Sequence, residues 1–288
     1  MERAEFPFLG YGAGLRRPHY AEVAGGRPRM DWFEIVSENF MVAGGPALKT
    51  LERVRANYPV VMHGVSLSIG STDPLDRDYL RQLAELARRI EPAWISDHLC
   101  WTGAAGRNLH DLMPMPFTEE TVAYTAGRLR TAQDILGRRI AIENVSSYLT
   151  YTASSMAEWE FVAAVADAAD CAILLDINNI YVNAFNHRFD PYAYVDAIPR
   201  ERVVQFHLAG HSDYGTYLLD SHDHPICDGV WELFDYAVGR FGEASTLIEW
   251  DDRIPPFATL AAAADESRSR ARAVLSRRVR SRAEGATR

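Results

Sequence analysis

The chain has 288 residues, 48% hydrophobic and 24% charged, an ordinary globular composition that excludes disorder, collagen and coiled coil. No apolar run reaches the ~18 residues of a membrane span; the charged start Met1-Glu2-Arg3-Ala4-Glu5 lacks a following apolar stretch and does not read as a signal peptide; and three cysteines (Cys100, Cys171, Cys227) make no disulfide framework, so a reducing cytoplasm is expected. The formal charge of −9 is uneven: residues 266–288 hold eight Arg and two Glu, net +6, which leaves −15 on residues 1–265, a body that repels nucleic acid.

Eight short apolar runs read as strands. They are Phe8 to Leu15, Trp32 to Asn39, Val60 to Leu67, Trp94 to Trp101, Arg139 to Ser146, Ile173 to Ile180, Val203 to Gly210 and Thr246 to Asp251. Several begin almost continuously apolar, as strands covered on both faces do. The intervening segments read mostly as helices. Asp73-Pro74 resembles an N-cap with Pro at the first helical position, opening a helix to about Glu91. Thr118-Glu119-Glu120 opens another, with acids suited to the helix dipole. Ser155-Met156-Ala157-Glu158 has the form of a capping box. Asp228 to Phe241 carries Val230, Trp231, Phe234 and Val238 on one face, and a last helix covers about Phe257 to Arg282.

Strands alternating with helices in this way predict an α/β fold, a (β/α)8 TIM barrel. One domain over residues 1–265 with a basic tail over 266–288 is expected. A doubly wound open sheet is the alternative, weakened because no Gly-rich phosphate loop follows a strand. Gly10-Tyr11-Gly12-Ala13-Gly14 falls inside the first strand and lacks a helical pattern after it.

The chemistry-bearing residues gather near the strand ends: Glu38, His63, Asp97 with His98, Glu143 with Asn144, Asp176 with Asn179, His207, and Glu249. A barrel builds its active site at that face. Buried imidazoles and carboxylates in one cluster are costly unless paired or metal-bound, which points to a metal site. The loop Asp220-Ser221-His222-Asp223-His224-Pro225 adds donors, and Asp220 and His222 point the same way in an extended segment. The candidate ligands are His63, His98, Glu143, Asp176, Asn179, His207, Asp220, His222 and Glu249, enough for two or three ions. Imidazole with carboxylate suits zinc, iron or manganese. Cys100, two residues past His98, is the one thiol near this face. Trp101 and Trp250, and Tyr148, Tyr151, Tyr181 and Tyr217, are candidates to line a cleft. Lys49 is the only lysine, so Schiff-base chemistry has one candidate amine. There is no Gly-x-Ser-x-Gly elbow and no Walker loop.

These motifs together resemble the multinuclear non-haem iron-dependent oxidases, peptide-modifying enzymes that include the methanobactin oxazolone-forming and thiaglutamate-pathway enzymes. The resemblance spans about Gly10 to Asp251. It rests on Gly10-Tyr11-Gly12, Trp32-Phe33-Glu34-Ile35, His63-Gly64-Val65-Ser66-Leu67-Ser68, Ser96-Asp97-His98-Leu99, Ile142-Glu143-Asn144, Leu175-Asp176-Ile177-Asn178-Asn179, His207-Leu208-Ala209-Gly210-His211, Ser221-His222-Asp223-His224 and Ile248-Glu249-Trp250-Asp251. It implies a xylose-isomerase-like barrel. By similarity to this superfamily, which includes a trinuclear zinc endonuclease, His63, His98 and Glu143 would hold one iron. Glu143, Asp176, His207 and Glu249 would hold a second and form the catalytic group. Asn179, Asp220 and His222 would hold a third, with His211, Asp223 and His224 as ligands or as partners that orient them.

The resemblance implies mixed-valent Fe(II)/Fe(III), dioxygen as co-substrate, and oxidation of cysteine in a ribosomally made precursor peptide to thiooxazole, oxazolone or related products. The Asp220 to Pro225 region resembles bufferin-type members, which implies a cysteine-rich peptide and a separate recognition protein. Neither nucleic acid nor membrane is expected as a partner. The ligand set read by itself also permits a zinc- or manganese-dependent phosphodiesterase, a two-metal sugar isomerase or epimerase, or a metal store.

Overall fold

The computed structural model describes residues 6–26 and 28–286. The N-terminal pentapeptide and the last two residues of the basic tail lie outside the described residues. In chain order the strands are β1 (Tyr11–Gly14), β2 (Phe33–Val36), β3 (Val60–Gly64), β4 (Ile95–His98), β5 (Trp101–Ala104), β6 (Arg107–Met113), β7 (Ala141–Glu143), β8 (Ala172–Asp176), β9 (Val203–Leu208), β10 (Ser212–Asp213), β11 (Leu218–Leu219) and β12 (Ser245–Ile248). The helices are α1 (Tyr20–Gly26), α2 (Pro46–Arg55), α3 (Arg77–Ile90), α4 (Glu119–Leu136), α5 (Glu158–Ala169), α6 (Ile177–His187), α7 (Pro191–Ala197), α8 (Asp228–Phe241) and α9 (Phe257–Ala286).

Strand side chains alternate between two faces, and here both faces are buried. Outward residues such as Phe33, Ile35, Val60, Met62, Ile95, Ile142, Ile173, Leu175 and Ile248 pack against the helices. Inward residues such as Trp32, Val61, Trp94, Ala141, Leu174 and Leu247 form a separate core inside the barrel. Its rings are Phe6, Trp32 and Trp94, with centroids 6.0–6.1 Å apart. A Cβ on Gly12 would lie 2.5 Å from the Trp32 ring, so the glycine-rich first strand makes room for an indole and not for a phosphate.

Parallel pairing closes the barrel in the order β1-β2-β3-β4-β7-β8-β9-β12 and back to β1. The eight predicted strands are these, and the fold is the predicted (β/α)8 barrel. Two antiparallel ribbons, β5-β6 and β10-β11, stand on the loops after β4 and β9. The strands are shorter than predicted. Residues Ser37–Phe40 turn into a 3-10 helix. Ile177 to Ile180 begin α6, because the Asp176 side chain accepts from Asn179 N and caps the helix. Trp101 belongs to the first ribbon.

Two helix starts also differ from expectation. Asp76 caps α3, accepting from the backbone of Asp78 and Tyr79, while Asp73 accepts from Ala105 and Gly106 and ties the β3 loop to the ribbon. At α5, Glu160 reaches back to Ala157 N at 2.8 Å, so the reciprocal partner is Glu160 and Ser155 is not the cap. Helix α4 opens at Thr118-Glu119-Glu120 as predicted, and Thr118 caps it by accepting from Thr121 N. Helix α9 continues through residues 265 and 266 without a break. Its Arg268 donates to Asp31 and lies over the Tyr11 ring, and Arg270 pairs with Asp235 and lies over Trp231. No helix among the described residues is long and apolar enough to cross a membrane.

Candidate metal centre

The alternation that buries Val61, Ala141 and Leu174 inside the barrel also turns the next inward residues toward its C-terminal mouth. Register then sets them side by side: His63 pairs across from Ser96, His98 from Glu143, and Asp176 from His207. His63, Glu143, Asp176 and His207 are at most 2% exposed.

Glu143 is shared between two groups. Its Oε2 lies 3.2 Å from His63 Nε2 and 3.3 Å from His98 Nε2, and these two nitrogens are 3.3 Å apart. His98 Nδ1 donates to the Gly64 carbonyl at 3.1 Å, so in the neutral ring Nε2 is a bare lone pair aimed at the group. His63 Nδ1 bonds Ser96 Oγ at 2.8 Å. On the other side, Glu143 Oε1 is 3.1 Å from His207 Nδ1. That nitrogen also lies 2.9 Å from Glu249 Oε2 and 3.9 Å from Asp176 Oδ2. The donor atoms of His63, His98 and Glu143, and those of Glu143, Asp176, His207 and Glu249, each fall within 4.8 Å of one another.

The loop after β9 supplies the next donors. His222 Nε2 lies 2.6 Å from Asp220 Oδ1, and His222 Nδ1 lies 2.9 Å from Asp251 Oδ2 and 3.6 Å from Glu249 Oε2. The geometry groups His222 with Glu249 and Asp251. Asp220 is held by Asn178 Nδ2 at 2.7 Å and, through its backbone N, by the Tyr148 hydroxyl at 2.9 Å. Asn179 stands in the first turn of α6, its Nδ2 donating to Asn144 O. Gly210 lets this loop approach the end of β9, since a Cβ there would lie 1.9 Å from the His224 carbonyl. His222 itself has φ +48, an uncommon backbone for a non-glycine residue and one found at functional sites.

Other expected residues stand apart. His211 bonds Asn178 Oδ1 through Nδ1 at 2.8 Å and stacks on Tyr181, so it touches the Asp220 support. Asp223 is occupied by Ser221, Ser212, His224 and Arg253. Glu38 and Asp97 share the Tyr79 hydroxyl and accept from Val65 N and Leu67 N, which fixes the loop after β3. Cys100 is fully buried, and burial with Asp97 and Glu143 nearby pushes its thiol well above the usual range. Three residues at the site were not among the predicted ligands: Glu34, Asp251 and Arg16. Arg16 Nε donates to Asp251 Oδ1 at 2.8 Å, and its Nη2 lies 3.5 Å from Glu249 Oε1. For Glu34 the signal was an acid in the middle of an apolar strand.

The buried imidazoles and carboxylates shift one another's protonation. Burial alone would lower His207, but Glu34, Glu143 and Glu249 hold it well above the usual imidazole range. His222 is held up likewise, against burial, by Asp220 and Glu249. Burial pushes His63 well below that range, with His98 and His207 adding to the effect. Burial, with Glu143 and Asp220 alongside, drives Asp176 well above the carboxylate range. Despite burial, His207 and His222 bring Glu249 down to about 2. A cation that takes His207 or His222 must displace a proton. Because both are raised, that competition extends through neutral pH, and apparent affinity falls as pH falls. Calorimetric titration in two buffers of different ionisation enthalpy is expected to show net proton release at pH 7; equal heats in both buffers would show that these imidazoles do not ligate.

The residues fit a cation. His207 Nδ1 and His222 Nε2 face carboxylate oxygens at 2.6–3.1 Å, while Glu143 Oε2, Asp176 Oδ2 and Asn179 Oδ1 are buried without a hydrogen-bond partner. Buried polar atoms are seldom left so. Imidazole and carboxylate lone pairs converging on shared points are what ligation requires.

Residues 10–272 match the model of the family described as RiPP precursor modification enzyme MbnB/TglH/ChrH. A UPF0276 protein of Anaeromyxobacter sp. (strain Fw109-5) is 58% identical over 252 residues, covering 88% of this chain and 89% of that protein. A UPF0276 protein of Caulobacter vibrioides (strain NA1000 / CB15N) is 52% identical over 265 residues, covering 92% and 95%. Among solved structures, endonuclease IV from Thermus thermophilus has a TM-score of 0.58 at 17% identity, covering 91% of this chain and 98% of that one. D-psicose 3-epimerase from Clostridium cellulolyticum, with D-tagatose, has a TM-score of 0.57 at 10% identity, covering 92% and 94%. At such identities these two share the fold alone, a xylose-isomerase-like TIM barrel. Matched over most of its length by the family model and by relatives of high identity, the chain belongs to the MbnB/TglH/ChrH family of RiPP precursor modification enzymes.

Proposed function

We propose that the protein is a multinuclear iron- and dioxygen-dependent oxidase that modifies cysteine residues of a ribosomally synthesised precursor peptide. The observation that carries this reading is the set of two imidazoles and one carboxylate, His63, His98 and Glu143, sharing Glu143 with a second, carboxylate-rich group. Two histidines with one carboxylate are a ligand set of non-haem iron oxygenases. The family membership supports a peptide substrate. Two or three irons, mixed-valent, would be held by His63, His98, Glu143, Asp176, Asn179, His207, Asp220, His222 and Glu249. Iron there would supply a redox-active ion that accepts a soft cysteine thiolate and activates dioxygen.

The chain's own residues prepare that chemistry. Glu143, Asp176, His207 and Glu249 are the catalytic group at the ions, and all four are buried. Glu143 is shared by the two groups, one oxygen facing each. The Arg16 guanidinium balances Glu249 and Asp251 at the rim. Cys100 stays protonated in its apolar surroundings and does not compete with the substrate thiol. The Asp220 to Pro225 loop supports a bufferin-type substrate, cysteine-rich and delivered by a separate recognition protein, and thiooxazole or oxazolone products follow from that class.

The test is anaerobic reconstitution with iron, followed by the cognate peptide and dioxygen. Oxygen uptake with a mass change at peptide cysteines is expected. An unchanged peptide with iron loaded would sink the proposal, and phosphodiester cleavage with zinc or manganese would replace it with a metallohydrolase.

A further inference from the structure

A buried polar chain runs down the barrel axis behind the centre. Trp94 Nε1 donates to Gln205 Oε1 at 2.7 Å, which fixes the orientation of that amide. Gln205 Nε2 then donates to Glu34 Oε2 at 2.6 Å. The Glu34 carboxylate faces His207 Nε2, with Oε1 at 3.1 Å and Oε2 at 3.3 Å. Gln205 Nε2 itself comes within 2.8 Å of the same ring nitrogen. With a hydrogen on His207 Nε2, Glu34 is the acceptor it meets, since the neighbouring Gln205 Nε2 is itself a donor. Glu34, Trp94, Gln205 and His207 come from β2, the turn into β4, and β9, and are at most 1% exposed.

We propose that Glu34 is the positioning residue for His207: it holds the Nε2 hydrogen, keeps the Nδ1 lone pair turned toward Glu143, Asp176 and Glu249, and is itself held by the Gln205–Trp94 pair. This rests on the metal-centre reading above. A buried carboxylate in an apolar strand is expensive unless it does such work. A carboxylate behind a ligating histidine orients the ring and raises its basicity, and its loss typically weakens metal affinity 10–100-fold. The proposal separates the two groups, since His63 and His98 are oriented by Ser96 and by the Gly64 carbonyl instead.

The experiment compares full-length wild type, Glu34→Gln, Glu34→Asp and Trp94→Phe, each made metal-free and titrated anaerobically with Fe(II), and in parallel with Zn(II) and Co(II). For Glu34→Gln, one ion is expected to bind about 10–100-fold more weakly. The Co(II) visible spectrum is expected to lose the bands of that site and keep those of the ion at His63 and His98. Glu34→Asp is expected to recover part of both signals, which a loss of packing volume would not do. Trp94→Phe is expected to weaken the same ion several-fold, and it decides the matter if Glu34→Gln does not fold. Wild-type affinity and an unchanged Co(II) spectrum in Glu34→Gln, or in Trp94→Phe where the former cannot be made, would overturn the proposal. If wild type takes zinc but no iron, the oxidase reading fails, while the zinc affinity ratio still decides the role of Glu34.

Discussion

Replacing Glu143 with Gln is expected to deplete more than one ion at once. Its two oxygens face different groups, Oε2 toward His63 and His98 and Oε1 toward His207. An amide keeps the volume but removes the charge, and it turns an NH2 donor toward one set of lone pairs. Neither orientation serves both groups. Affinity at both is expected to fall by at least about 100-fold, the upper end of what an orienting partner alone causes. Metal per chain after gel filtration checks this. A His98→Ala variant is the control, expected to lose chiefly the ion of its own group. If Glu143→Gln retained the full complement of ions, Glu143 would not link the two groups.

Stripping the metal is expected to lower the unfolding temperature on the order of 10 °C per tightly held ion. Glu34, Glu143, Asp176 and Glu249 are buried together, with Asp220 and Asp251 beside them, and the cations facing them are His207, His222 and Arg16. A ligand present at a thousandfold above its dissociation constant contributes about 4 kcal/mol to the folded state, and each kcal/mol moves the midpoint by about 2–4 °C in a domain of roughly this size. The difference is expected to shrink toward acid pH, where protons on His207 and His222 replace the cation. Calorimetry with and without chelator at pH 8 and pH 6 tests it. A midpoint indifferent to chelator at both values would mean that the cluster is a self-sufficient ion-pair network.

The barrel was legible because each strand carries its own signal, a short apolar run ending in a polar residue. The candidate ligands were legible for the same reason: His63, His98, Glu143, Asp176, His207 and Glu249 interrupt such runs. Glu34 was not, although it lies in a quoted motif, because its role depends on register with strands far away in sequence; Gln205, its bond partner, lies 171 residues on. Asp251 and Arg16 were hidden similarly, their pairing spanning 235 residues. Helix starts failed where two plausible caps lie close together. Asp73 and Asp76 are chemically alike, and only the ribbon's need for an acceptor at Ala105 and Gly106 assigns the first of them elsewhere. Strand ends were read too long because Asp176 both ends a strand and caps a helix, and periodicity does not register that change.

The most direct measurement is the metal content of protein purified without oxygen or added metal, taken together with its Mössbauer spectrum. Two or three irons per chain, in mixed Fe(II) and Fe(III) states, are expected from the shared Glu143 and the donors around it. Zinc or manganese alone, with added iron failing to bind, would contradict the oxidase and leave a metallohydrolase on the same barrel.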